Sequence, residues 1–295
     1  MFESLWIDCE GAEATLAGLD RYGETRAMAH HLRHFWQFGY CIIKGAVARE
    51  QIDTYLAELA RDVARGALLA SHGHKIVNAA KADLRTPLTK VLDSHVYSPA
   101  ACELAFSPPV KLFLDMLFRQ PPLAFQSLYF EVGSTQAIHN DTAYVVVDDH
   151  PKSLCAAWIA LEDVVPGSGE LLYYPGSHRY GDFLYGPGRK NWASEEDGNA
   201  IHDHHLFWIH EEAKRRGLTA ESFLPEKGDV LFWHADLCHG GGEIKEPGRT
   251  RRSLVVHYCP VTESPHYLTG APGDMRTKKL SSNGGYISSM YFHIE

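Results

Sequence analysis

The sequence predicts a mainly β domain of the sandwich or jelly-roll kind, preceded by helices. Three observations predict it. Short apolar runs follow one another from about residue 125, at 125–131, 144–147, 154–161, 171–174, 229–233 and 253–259. Turn signals separate them, among them Pro166-Gly167-Ser168-Gly169, Pro175-Gly176-Ser177 and Gly240-Gly241-Gly242. The helical patterns precede the strands instead of alternating with them, which excludes a doubly wound parallel sheet.

The N-terminal third reads as helices around one strand. Met28, Leu32 and Phe35 share a helical face, followed by Gly39 and the strand-like Tyr40-Cys41-Ile42-Ile43. Residues 51–65 place Ile52, Tyr55, Leu56, Leu59 and Val63 on one face. A helix over about 100–118 must kink or restart at Pro108 and Pro109. Within the β region, residues 180–205 are rich in Gly, Pro and charge, and an insertion this long reads as a lid or binding loop. A helix over about 206–216 follows it. The organisation expected is one domain over 1–295: a helical part to about 120, a β core over 121–262 with the lid at 180–205, and a polar tail over 263–295.

Composition is ordinary for a globular chain, with 45% hydrophobic and 22% charged residues among 295. A chain of this length buries a sizeable core without staples, so a metal site here serves chemistry and not folding. The net charge of −9 argues against a nucleic-acid partner, which needs a dense basic face. No apolar run is long enough to span a bilayer, and the acidic start MFESLWIDCEGAEA does not read as a signal peptide. Six cysteines without a CxxC pair read as reduced, mostly buried thiols of a cytoplasmic protein.

Two His-x-Asp triplets occur, His139-Asn140-Asp141 and His234-Ala235-Asp236. With this many His and Asp residues, about one such triplet arises by chance, so context must separate them. In a strand, residues i and i+2 point to one side, and the pair aims an imidazole and a carboxylate at a single ion. A further His completes a face of two histidines and one carboxylate, leaving open positions as ferrous oxygenases require. The first pair has many strands downstream to supply that His; the second has little chain left and reads as a strand end and turn leading to His239. Among 18 histidines the group His202, His204, His205 and His210 invites a metal reading, but reads better as a solvated loop and helix start. His239 stands out because it follows the strand-like run DVLFWH and precedes three glycines, which would let the backbone turn sharply and keep the approach to the metal open. Arg251 and Ser253 share one strand face, with Arg252 on the other, and can together grip a carboxylate.

Together these segments resemble the phytanoyl-CoA dioxygenase (PhyH-like) family of 2-oxoglutarate oxygenases. The resemblance is carried by His139-Asn140-Asp141, Trp158-Ile159-Ala160-Leu161-Glu162-Asp163, Gly169-Glu170-Leu171 with Pro175-Gly176-Ser177-His178, and Gly228-Asp229-Val230-Leu231-Phe232. It continues through His239-Gly240-Gly241-Gly242 to Arg251-Arg252-Ser253, spanning about residues 25–260. It implies a double-stranded β-helix core, jelly roll or cupin-like, with flanking helices. It also implies iron(II) held by His139, Asp141 and His239, with 2-oxoglutarate and O2 as cosubstrates. Arg251 with Ser253 would hold the far carboxylate of 2-oxoglutarate, and Gln126 resembles a family residue near its other end. Tyr144 and Trp158 can line a substrate pocket, although aromatics on such strands more often belong to the core. Where many members carry Ser after the first Gly of the distal His segment, this chain has Gly240-Gly241-Gly242-Glu243. Asp141, in place of Ala or Gly, points to hydroxylation over halogenation. The expected substrate is a small molecule. The competing readings are a cupin-like isomerase or hydrolase without 2-oxoglutarate, and a binding protein without turnover.

Overall fold

The chain opens with α1 (Ala12–Leu19), α2 (Gly23–Phe38), β1 (Tyr40–Ile43) and α3 (Arg49–Ala64). The computed structural model describes residues 5–19, 23–73, 75–148, 150–267, 277–292 and 294. Gly39 at φ 78° ends α2 in the left-handed region and hands the chain to β1. Next come β2 (Leu69–His72), β3 (Lys75–Asn78) and β4 (Thr89–Leu92), then α4 (Ser94–Tyr97), α5 (Pro99–Ala105) and α6 (Pro108–Phe118). The expected helix over 100–118 is thus two, each begun by proline in its first turn, where no amide donor is needed. The N-terminal third also holds more β structure than one strand, because β2 to β4 extend the main sheet through β4–β5 pairing.

The core strands are β5 (Pro122–Phe130), β6 (Val145–Val147), β7 (Cys155–Ala160) and β8 (Leu171–Tyr173). After α7 (Ser194–Arg215) follow β9 (Glu221–Phe223), β10 (Val230–His234), β11 (His239–Gly241), β12 (Ser253–Pro260) and β13 (Pro265–Tyr267). In the tail, β14 (Lys279–Leu280) pairs with β15 (Tyr286–Ile287), which joins β5 in parallel. The large sheet runs β1-β10-β7-β12-β5-β4-β2-β3, and a smaller one runs β11-β8-β9. This is the mainly antiparallel jelly-roll core with flanking helices that the strand pattern predicts.

Period-two alternation divides the large sheet into two faces. Cys155, Ala157, Ile159, Val230, Phe232, Leu254 and Val256 pack outward with Leu32, Phe35, Ile52, Tyr55 and Phe113 of the helices. Ala156, Trp158, Ala160, Leu231, Trp233 and Val255 face inward with Leu171, Tyr173 and Phe223 of the small sheet. The inward face is the one that bears the site.

The insertion over 180–205 is less loop-like than its composition suggests. Its second half is helical, since α7 begins at Ser194 and breaks only at Gly198, whose φ is 69°. No helix among the described residues is long and apolar enough to cross a membrane. Cys9 is exposed and the other five cysteines are buried, all of them free thiols.

Candidate metal centre

His139 and His239 lie side by side because their backbones form a two-way bridge. His139 N donates to His239 O at 2.9 Å, and His239 N donates to His139 O at 2.8 Å. Asp141 follows two residues later, at the start of a 3-10 turn over Asp141–Ala143. The ligand atoms of His139, Asp141 and His239 all lie within 4.8 Å of one another, and all three residues are buried.

The tautomers are set from outside. His139 Nδ1 donates to the Ala137 carbonyl at 2.8 Å, and His239 Nδ1 to the Leu237 carbonyl at 2.9 Å. Both Nε2 lone pairs are therefore turned toward Asp141, whose Oδ1 lies 3.9 Å and 3.7 Å from them. Burial, then the neighbouring His239, pushes His139 down to about 3; burial also lowers His239. Burial works against the Asp141 charge, but His239, His257 and His139 outweigh it and hold the carboxyl below its ordinary range. Two neutral imidazoles and one anion converge, a donor set that suits a divalent transition metal.

The cavity beside these groups is lined by Leu128, Phe130, Trp158, Leu171, Trp233 and Val255. Its polar contributors are Ser134, Gln136, Arg251 and His257 besides the three ligands, with Gly240 and Gly241. Gln136 Nε2 lies 3.3 Å from His139 Nε2 and donates to it. The glycine run does not make a sharp turn, as the sequence suggests; Gly240 and Gly241 sit in β11 without positive φ. A Cβ at Gly240 would meet Gln136 O and Ile138 N at 2.8 Å, and one at Gly241 would meet Thr135 N at 2.6 Å. Glycine is required because two backbones touch there.

Arg251 closes one wall. Its Nη1 donates to Ser253 Oγ at 2.9 Å and its Nη2 to the Val132 carbonyl at 3.4 Å. Its Nε has no partner, and the guanidinium lies 5.2 Å from the Trp158 ring centroid and 5.8 Å from that of Phe130. Burial lowers even this group, to about 10, against the pull of Glu162 and Glu170. Among the described residues no carboxylate forms an ion pair with it, whereas Arg252 on the opposite face pairs with Glu131 at 3.0 Å. A buried guanidinium so placed calls for an anion from outside the chain.

A family model described as phytanoyl-CoA dioxygenase (PhyH) matches residues 35–253. The chain belongs to the PhyH family. Human peroxisomal phytanoyl-CoA dioxygenase (Homo sapiens) is 26% identical over 161 residues, covering 55% of this PhyH chain and 42% of that protein. The chain spans less than two thirds of the length of the curated relatives it matches. Among solved structures, the epimerase SnoN in complex with Fe3+, alpha ketoglutarate and nogalamycin RO superposes with a TM-score of 0.60 at 20% identity, covering 89% of this chain and 98% of that one. The alpha ketoglutarate dependent carbocyclase SnoK gives 0.61 at 18%, covering 86% and 90%. At these identities the likeness speaks for the fold.

The remaining predicted site residues of this PhyH chain fall as follows. Trp158 lines the cavity under Arg251. Gln126 is buried, in register with His257 and on the inward face of β5, but does not line the cavity. Tyr144 stands beside His139 with ring centroids 5.1 Å apart, and its hydroxyl lies 2.6 Å from His202 Nε2. His202 and His205 are therefore not a solvated loop: His205 is buried, with Nδ1 2.6 Å from Tyr185 OH. His234 and Asp236 do form a strand end and turn, bound to Asp8 and to Lys190 with Thr142.

Gln136 and three further residues that act on the ligands escape the sequence reading. Trp233 Nε1 donates to Asp141 Oδ2 at 2.6 Å, and His257 Nε2 lies 3.4 Å from the same oxygen. Strand parity held the signal for both, since Trp233 alternates with Phe232 and His257 shares the face of Arg251 and Ser253. Lys90 on β4 acts electrostatically on Asp141 and His139, and burial lowers its ammonium while Asp141 opposes that. A strand lysine carries no sequence signal for such a place.

Proposed function

We propose that this chain is an iron(II)- and 2-oxoglutarate-dependent dioxygenase that hydroxylates a C–H bond of a small molecule, releasing succinate and carbon dioxide. The observation that carries this reading is Arg251: a buried guanidinium without a carboxylate of its own, opening on the cavity of His139, Asp141 and His239. His139 Nε2, Asp141 Oδ1 and His239 Nε2 would hold the metal. Arg251 and Ser253 would hold the far carboxylate of 2-oxoglutarate, in a low-dielectric wall where a charge-assisted bond is strong. Iron and 2-oxoglutarate, when bound, supply the oxidative chemistry with O2.

The chain supplies orientation and exclusion of water. Trp158 and Phe130 form the apolar floor against which Arg251 is fixed. Lys90 on β4 adds positive charge that Asp141 and His139 feel. Gln126, cross-strand from His257, would lie near the metal-binding end of 2-oxoglutarate. Tyr144 and the 180–205 insertion bound the substrate side, and the insertion serves as its lid. The same donor set serves epimerisation or ring closure as well; Asp141, in place of Ala or Gly, speaks for hydroxylation over halogenation.

The test is succinate formation by anaerobically purified protein given iron(II), 2-oxoglutarate and air. Turnover in wild type that is lost in both Asp141→Ala and Arg251→Ala is expected. Succinate formation unchanged in Arg251→Ala would remove Arg251 as the carboxylate anchor, and none from metal-loaded wild type would favour the cupin-like reading without 2-oxoglutarate.

A further inference from the structure

The two carboxylate oxygens of Asp141 are not equivalent. Oδ1 faces both ligand imidazoles, at 3.9 Å from His139 Nε2 and 3.7 Å from His239 Nε2. Oδ2 faces away, toward β10 and β12. There it accepts Trp233 Nε1–H at 2.6 Å, and His257 Nε2 stands 3.4 Å away. An indole nitrogen donates and never accepts, so this bond persists at every pH at which the carboxylate is ionised.

Trp233 is held for this task. It is 1% exposed, and in register it stands opposite Ala156 on one side and Tyr40 on the other. The small alanine leaves room for the indole to lie inward, where its ring centroid is 4.3 Å from that of His239. His257 comes from the next strand but one, and its buried Nδ1 has no partner. A proton on Nδ1 would leave a buried donor unsatisfied and turn a lone pair toward the carboxylate. The neutral tautomer with its proton on Nε2 avoids both and sets an N–H beside Oδ2, at the edge of hydrogen-bond range.

We propose that Trp233, seconded by His257, is a positioning residue that commits Oδ2 of Asp141 and leaves Oδ1 as its one oxygen for the metal. The consequence is chemical. A carboxylate that ligates through both oxygens would occupy one of the positions that a bound cosubstrate and O2 need. A hydrogen bond to the outer oxygen also fixes the carboxylate plane, as outer partners of metal ligands commonly do. This proposal rests on the metal reading of the site, and its test separates the two.

The experiment is a manganese(II) titration of the whole chain, followed by the relaxation of water protons on the bound metal. Trp233→Phe keeps an aromatic ring and removes the donor. It should weaken manganese binding about ten-fold. It should also lower the relaxation enhancement per bound ion by about a third, as one of three water positions is taken by Oδ2. His257→Leu should move both readings in the same direction by less, and keeps the test alive if Trp233→Phe does not fold. Weaker binding with unchanged enhancement in the folded variants would mean a merely structural role and overturn the proposal, as would unchanged binding. Absence of manganese binding by wild type would overturn the metal reading beneath it.

Discussion

Two kinds of structure hold the ligand region in place. One is built by β5, β7, β10 and β12, whose inward residues Leu128, Trp158, Trp233, Val255 and His257 follow from period two and pairing register. The other is the insertion between β8 and β9, which reaches the turn after Asp141 from outside the sheets. There Lys190 bridges Asp182 at 2.6 Å and Asp236 at 2.8 Å, and Asp236 accepts Thr142 Oγ1 at 2.7 Å. Trp192 N donates to the Ala143 carbonyl at 3.0 Å, and His202 meets Tyr144. The strand wall is held by apolar packing and a ladder; the insertion is held by buried ions and single hydrogen bonds. The first arrangement suits chemistry that must not move, and the second gives way more readily.

This contrast can be broken by substitution. The largest effect is expected on the strand wall, where Arg251→Ala should weaken 2-oxoglutarate binding roughly 100-fold or more, because a buried charge loses its counterpart. Calorimetric titration of the iron(II) protein checks it, and metal affinity should stay unchanged. On the insertion, Lys190→Ala leaves Asp182 and Asp236 with Lys152 alone, at 2.8 and 3.3 Å. A loss of about 3 kcal/mol in unfolding free energy is expected, with 2-oxoglutarate affinity little changed. Denaturant unfolding measures the first and calorimetry the second. A collapse of cosubstrate binding in that variant would erase the distinction between the walls.

The same contrast decides what was legible in the sequence. The jelly-roll class, the strand positions and the inward face of Arg251 and Ser253 follow from alternation and turns, because one buried face leaves a period-two record. His239 stood out by its place between a strand and glycines, although the reason for those glycines is close backbone contact. The strands β2 to β4 were missed because runs such as Leu69–His72 are short and polar and take their stability from pairing with β5, directly or through one another. Lys90, and the pairing of the insertion histidines with Tyr144 and Tyr185, were illegible for a related reason. They depend on contacts between segments far apart in the chain, which leave no local pattern.

Two smaller effects sharpen the comparison. Gly240→Ala pushes a methyl group into the Gln136 carbonyl, and an overpacking cost of about 2 kcal/mol is expected, with weaker metal binding. Thermal unfolding and a metal titration report both. The smallest effect concerns His205, which burial, then its neighbours His202 and Lys190, lower from 6.5 to about 4. A depressed folded value means that the unfolded chain binds the proton first as pH falls. The stability His205 contributes is complete above 6.5 and is lost as pH falls toward 4. Between about pH 7.5 and 5.5 this amounts to about 1 kcal/mol. His205→Gln should lose less over that interval in paired unfolding experiments, and an identical pH profile would contradict the assignment.

In the proposed function the triad and Arg251 bind the two ends of one cosubstrate. This is tested most directly by anaerobic titration of 2-oxoglutarate into the iron(II) protein and into the metal-free protein. Markedly tighter binding with iron is expected, with loss of most of that affinity in Arg251→Ala. Equal binding with and without iron, or none by the iron form, would contradict it.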